Sequence, residues 1–171
     1  STKNKGFKEI KNFDLQKDNQ YEDTDAAAFD IDKDGDLDLY VVSGGNEYKE
    51  SDKNYMDRVY LNDGLGNFTR LQISLPRTNG SSVSVSDFNN DGYDDLFLGS
   101  RSITGFYGLS PYSFIMLNNG DNTLSPIEQQ RYGMVTDSKW VDINSDGKED
   151  LILAGDWMPI TVLIQEDDLK F

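Results

Sequence analysis

The sequence predicts an all-β protein built from repeated four-stranded units, and three observations carry that reading. A ten-residue acidic pattern, D-x-[DN]-x-D-G-x-x-D-L, occurs without gaps at 30–39, 87–96 and 142–151, with starts 57 and 55 residues apart. Short β-branched or aromatic stretches flank each copy, and helical periodicity is absent. Gly, Asn and Asp punctuate the chain every 8–12 residues, the rhythm of turns between short strands. Four strands in a unit of about 55 residues is the arrangement of a propeller blade. A β-sandwich with coincidental acidic turns is the weaker alternative, because it offers no reason for three gapless loops.

The elements follow in order. A first strand precedes each acidic loop, at Ala26–Phe29, Val83–Ser86 and Ser138–Val141. A second leaves it, at Leu39–Val42, Leu96–Leu98 and Leu151–Ala154. A third is expected at Arg58–Leu61, Ser113–Leu117 and Ile160–Ile164. The Gly- and Asn-rich segments Asn62–Phe68 and Asn118–Leu124 read as hairpin turns into a fourth strand. In the last unit that strand would begin near Leu169–Phe171, and Gly6–Ile10 reads as the fourth strand of a preceding unit. The expected division is an outer strand and linker over 1–20, blades over 21–77 and 78–133, and an incomplete blade over 134–171.

Composition excludes several classes of function. The 171 residues include no Cys, hence no disulfide framework, thiolate zinc site or Cys nucleophile. They include no His, which removes Ser–His–Asp catalysis and imidazole metal ligands. A net charge of −15 argues against nucleic acid, whose recognition needs a basic face. No apolar run approaches the roughly 20 residues of a membrane helix. The chain starts abruptly at Ser1 and reads as a mature or excised piece, which leaves a signal peptide open.

The charge is concentrated. The nine-residue loops 30–38, 87–95 and 142–150 hold thirteen of the 31 acids and two of the 16 bases, a net −11 of the −15. Within each loop, carboxylates or an amide occupy positions 1, 3 and 5, Gly position 6 and Asp position 9. Alternating hard oxygens around a tight turn suit Ca²⁺, which takes six to eight oxygen ligands, whereas Mg²⁺ prefers octahedral geometry and keeps its waters. Position 7 varies (Asp36, Tyr93, Lys148), as expected for a ligand that is a backbone carbonyl. An EF-hand or dockerin loop needs an acid at position 12 leading into a helix; here Val41, Leu98 and Leu153 stand there, inside strand-like runs.

On these residues, and on Gly80–Gly99 most clearly, the chain resembles the FG-GAP repeats of integrin α-subunit propellers. Over 6–171 it is similar to the VCBS-type, FG-GAP-like repeat proteins common in Bacteroidetes and to the propeller part of cartilage acidic proteins. Tyr107–Tyr112, Gly133–Asp137 and Asp156–Ile160 also look like segments of the bacterial group. The resemblance implies three integrin-α-like blades and three Ca²⁺ sites. Its side-chain ligands fall on Asp30, Asp32, Asp34 and Asp38; on Asp87, Asn89, Asp91 and Asp95; and on Asp142, Asn144, Asp146 and Asp150, with carbonyls of Asp36, Tyr93 and Lys148 completing the sets. Asn at position 3 removes a charge from the second and third loops, so the first is expected to bind most tightly.

The resemblance also places partners on the face opposite the calcium loops. There lie Ser43–Asp57, Gly99–Tyr112 and Gly155–Pro159, with the connections Arg77–Ser81 and Arg131–Asp137. Aromatics at such positions more often pack between blades, Trp140 reads as core, and Arg101 and Arg131 as partners of local carboxylates. The expectation is a non-catalytic, calcium-stabilised module of a secreted or cell-surface protein that binds a protein or a glycan. The alternative is part of a calcium-dependent polysaccharide lyase or hydrolase, although no carboxylate pair is singled out for it. Three blades do not close a ring, so further blades of a parent protein or self-association, for instance two copies forming six blades, are expected to complete it.

Overall fold

The computed structural model describes residues 6, 9–49 and 52–166. Three antiparallel sheets follow one another along the chain, each a simple meander. The first comprises β1 (Asp23–Phe29), β2 (Asp38–Ser43), β3 (Arg58–Asn62) and β4 (Phe68–Arg70). The second comprises β5 (Gly80–Ser86), β6 (Asp95–Ser100), β7 (Ser113–Asn118) and β8 (Leu124–Gln130). The third comprises β9 (Met134–Val141), β10 (Asp150–Asp156) and β11 (Thr161–Leu163). The all-β expectation holds, with sheets of four, four and three strands.

The first strands β1, β5 and β9 pack side by side, and their sequences explain why they can. Ala26–Ala28 and the alternating Ser and Val of β5 are small, so the backbones approach closely. Polar bridges then join neighbours: Thr24 Oγ1 donates to the Gly80 carbonyl at 3.0 Å, and the Val83 amide to Asp25 Oδ2 at 2.9 Å. Ser138 Oγ reaches Ser84 Oγ at 2.9 Å, and Trp140 Nε1 the Ser84 carbonyl at 3.3 Å. At Gly80 a Cβ would collide with Val42 Cγ1, so glycine is required by the closeness of the sheets rather than by a turn.

Alternation along a strand splits the core in two. Leu96, Leu98, Phe114 and Met116 face the first sheet and join Phe29, Tyr40, Val42 and Val59. Phe97 and Ile115 face the other way, onto Val135, Trp140, Leu151 and Leu153. The second sheet is thus covered on both sides, and all of β6 is buried. Trp140 is core as expected, its ring stacked on Phe88 with centroids 5.3 Å apart.

The N-terminal segment departs from the expectation of an outer strand. Gly6, Glu9 and Ile10 are not in a strand, while Phe7 and Lys8, like the expected strand at Leu169–Phe171, lie outside the described residues. A single helical turn, α1 (Phe13–Lys17), follows instead, its first amides at Asp14 and Leu15 capped by Asn12 Oδ1 at 2.9 and 3.2 Å. Five residues are too few to register as helical periodicity. The segment after it lies over the outer face of the first sheet, with Asp18 accepting from Tyr60 Oη at 2.6 Å and ion-paired to Arg70 at 3.1 Å. Tyr21 lies 3.9 Å under the guanidinium of buried Arg58, whose Nη2 pairs with Asp23. On the third sheet Val162 and Ile164 remain 42% and 39% exposed.

Candidate functional site

Each acidic loop connects the first and second strands of its sheet, and the three loops repeat one backbone path. Position 4 is left-handed in all three, with φ of 60° at Lys33, 57° at Asn90 and 63° at Ser145. The position-6 glycines Gly35, Gly92 and Gly147 follow at φ of 95°, 90° and 87°, where a side chain would be strained. These bends fold the carboxylates inward over the loop's own amides. The Gly35, Gly92 and Gly147 amides donate to Asp30, Asp87 and Asp142 Oδ2 at 3.2, 2.9 and 2.9 Å. The Asp36, Tyr93 and Lys148 amides donate to Asp34, Asp91 and Asp146 Oδ1 at 3.1, 2.8 and 2.9 Å.

The ninth-position acids are the buried pivots. Asp38, Asp95 and Asp150 are at most 1% exposed. Each accepts, through Oδ1, from the amide just past the third strand of its sheet or at its end: Asn62, Asn118 and Gln165, at 2.8, 2.9 and 2.9 Å. Asp38 and Asp150 also accept from Ile31 and Ile143 amides at 3.0 and 3.1 Å, tying the start of the loop to its end. Asp95 Oδ2 has no hydrogen-bond partner among the described residues, and neither do the buried Asp30 Oδ1 and Asp36 Oδ1. Orphaned carboxylate oxygens in an acidic turn are what a cation would complete.

The electrostatics agree. Burial raises the pKa of Asp95 to about 7, against the amide of Asn118 that lowers it, with Asp91, Asp87 and Asp94 adding repulsion. Burial likewise raises Asp38, and desolvation followed by the charges of Asp34, Asp32, Asp30 and Asp63 raises Asp36. A loop whose carboxylates are pushed toward protonation, by burial first and by like charges second, is one that a divalent cation would relieve.

The expected ligands are not arranged identically. In the first loop one oxygen from each of Asp30, Asp32 and Asp38 lies within 4.8 Å of the others. In the second and third loops the position-3 amides Asn89 and Asn144 instead donate to Asp91 and Asp146 Oδ2, both at 2.9 Å. The Asn89 and Asn144 Oδ1 atoms accept from the Asp91 and Asp146 amides at 3.0 and 2.9 Å. Around position 7, Lys33 Nζ of the first loop stands 5.5 Å over the Tyr93 ring of the second.

Sequence reasoning missed the amide residues that couple loops to neighbouring sheets. Asn118 Nδ2 donates to the Ile31 carbonyl of the preceding sheet's loop at 3.2 Å, and Gln165 Nε2 to the Phe88 carbonyl at 3.1 Å. Their backbone amides hold the ninth-position Asp of their own loops, so one residue staples two successive loops. The equivalent Asn62 has no preceding sheet among the described residues, and its Nδ2 turns to the Leu37 carbonyl at 3.0 Å. The available signal was an amide residue closing the third strand in each unit.

At the opposite end lie the long loops. Asp57 is buried there and satisfied, accepting from Tyr40 Oη and the Ser43 amide, both at 2.9 Å, and from Thr78 Oγ1 at 3.1 Å. Arg101 pairs with Asp156 at 2.8 Å, as expected. Arg131 has no carboxylate partner among the described residues; it donates to the Ser110 carbonyl and stacks on Tyr112 with its guanidinium carbon 4.2 Å from the ring centroid. Tyr107 and Trp157 form an exposed edge-to-face pair with centroids 5.1 Å apart.

Residues 30–98, spanning the first two acidic loops and the strands between them, match the FG-GAP-like repeat family. No curated protein matches the chain. No helix among the described residues is long and apolar enough to cross a membrane.

Proposed function

We propose that this chain is a calcium-stabilised, non-catalytic binding module, built from propeller blades of the FG-GAP and VCBS type and belonging to a secreted or cell-surface protein. The observation that carries the calcium reading is the set of orphaned oxygens, Asp30 Oδ1, Asp36 Oδ1 and Asp95 Oδ2, in loops that repeat one fold. The first loop offers Asp30, Asp32, Asp34 and Asp38 with the Asp36 carbonyl. The second offers Asp87, Asn89, Asp91 and Asp95 with the Tyr93 carbonyl, and the third Asp142, Asn144, Asp146 and Asp150 with that of Lys148. Bound Ca²⁺ replaces carboxylate repulsion by shared attraction, so metal affinity becomes folding stability. Extracellular calcium, at millimolar concentration, suits sites of this kind.

The binding role rests on the rigid β scaffold and the long loops at its other end, where function commonly resides. The partner is a protein or a glycan. Further blades of a longer chain, or a second copy, would flank the first and third sheets. The competing reading, part of a calcium-dependent polysaccharide-degrading enzyme, predicts new reducing ends or unsaturated products from a polysaccharide panel; the binding-module reading predicts neither. Calorimetric titration of chelator-treated protein tests the metal reading directly. Three calcium equivalents, with weaker uptake of magnesium, are expected; no uptake at millimolar calcium would remove it.

A further inference from the structure

A cleft opens between the first and second sheets at the end opposite the acidic loops, with a volume of about 650 Å³. That lies in the range of small-ligand sites, roughly 300–1,000 Å³, and is concave where protein interfaces are broad and flatter. Its chemistry opposes that of the whole chain. In a protein of net charge −15, the described residues lining it include Lys49, Arg77 and Arg131 and no carboxylate. Behind one wall residue, Thr78, lies the buried Asp57, which accepts from Thr78 Oγ1 at 3.1 Å.

Two further features mark the cleft as built for a ligand. Ser100 lines it, is 1% exposed, and its Oγ has no hydrogen-bond partner among the described residues. A buried hydroxyl left unpaired costs free energy unless something completes it. Arg131 is held by the Ser110 carbonyl and by the ring of Tyr112, which presents an aromatic face beside the charge. A guanidinium positioned in this way suits a carboxylate or sulfate group.

We infer that this cleft binds an acidic oligosaccharide of about two sugar rings. Its acid group would meet Arg131 and Lys49, a sugar hydroxyl would pair with Ser100 Oγ, and a ring face would lie on Tyr112. The site rests on the binding-module reading and names its ligand class. The chain's overall negative charge opposes such a ligand weakly, because physiological salt screens charges beyond roughly 8 Å.

The test is calorimetric titration of the calcium-loaded protein, in about 0.15 M salt, with four probes: a galacturonate trisaccharide, a sulfated disaccharide, a neutral trisaccharide and a glutamate hexapeptide. One or both acidic sugars should bind while the neutral sugar and the peptide do not; which of the two binds identifies the acid group. Arg131→Gln should weaken binding about tenfold and Ser100→Ala about threefold. Since Ser100 Oγ has no partner to lose, Ser100→Ala should unfold at the wild-type temperature, which separates ligand loss from misfolding. Equal binding of the neutral sugar, binding of the peptide alone, or unchanged affinity in both variants would overturn the assignment. So would no binding by any probe to a protein that still takes up calcium, an outcome that leaves the metal reading intact. Failure to take up calcium would instead count against the proposed function.

Discussion

Two buried aspartates at opposite ends of the strands show how one residue type serves two purposes. Asp57 sits where Tyr40, Ser43 and Thr78 supply both of its oxygens with donors. Asp95, in the second acidic loop, accepts from the Asn118 amide through Oδ1, while its Oδ2 has no partner among the described residues. Burial lifts both carboxyls, to about 6 and about 7. The difference lies in what faces the oxygens: protein donors on both at Asp57, and at Asp95 a donor on Oδ1 alone among the described residues. The aspartate of the acidic loop thus keeps an oxygen that the proposed cation would take, whereas the aspartate at the opposite end is satisfied by protein donors.

The largest test of that contrast is removal of the metal. Each site saturated at a hundred times its Kd adds about 2.7 kcal/mol, so a chelator should lower the urea midpoint by an amount worth several kcal/mol. Asp95→Asn should remove roughly one site's share of that response, and Asp57→Asn none. An identical calcium response in wild type and Asp95→Asn would erase the distinction.

The next effect is pH. Asp57 titrates near 6 when folded against 3.8 as reference, so between those values the native state holds more protons than the unfolded chain. Its contribution to stability therefore rises as the pH falls from about 7 to 4, by at most about 3 kcal/mol. Denaturant unfolding of wild type and Asp57→Asn at saturating calcium over that range should show the wild type gaining relative to the variant. Parallel curves would show that Asp57 does not carry the shift.

Coupling between sheets comes third. Asn118→Ala deletes the amide that reaches the Ile31 carbonyl and leaves that carbonyl without its donor, a loss of about 1–2 kcal/mol. Because its backbone still serves Asp95, the second loop should keep its affinity while the first weakens in a site-resolved NMR titration; weakening of the second alone would overturn this coupling. The smallest effect is within the loops. Asp32→Asn should weaken the first site and Asn89→Asp strengthen the second, each about fivefold, as one ligand charge is lost or gained. Unchanged affinity in both would mean that the charge count does not rank the sites.

Much of this was legible from local pattern. The gapless repeat of Asp, Gly and Asp placed three turns between strands, because left-handed bends and alternating strand faces depend on a few neighbouring residues. Val41, Leu98 and Leu153 at position 12 pointed to strands rather than helices, and they lie in β2, β6 and β10. The short helix Phe13–Lys17 was not legible, since one turn leaves no periodic trace and its place depends on packing against β4. Nor were the roles of Asn118 and Gln165, whose partners lie 87 and 77 residues away.

By itself, then, the sequence determined the local chemistry: all-β units, three acidic turns rich in oxygen, and no imidazole or thiol for other kinds of site. Only the tertiary structure decided which oxygens stay bare, which amides bind one sheet's loop to the next, and which distant residues line one cleft with Ser100. The reason is physical. A turn is written in contiguous residues, but burial and an unpaired oxygen are properties of everything packed around an atom, and those neighbours come from distant parts of the chain.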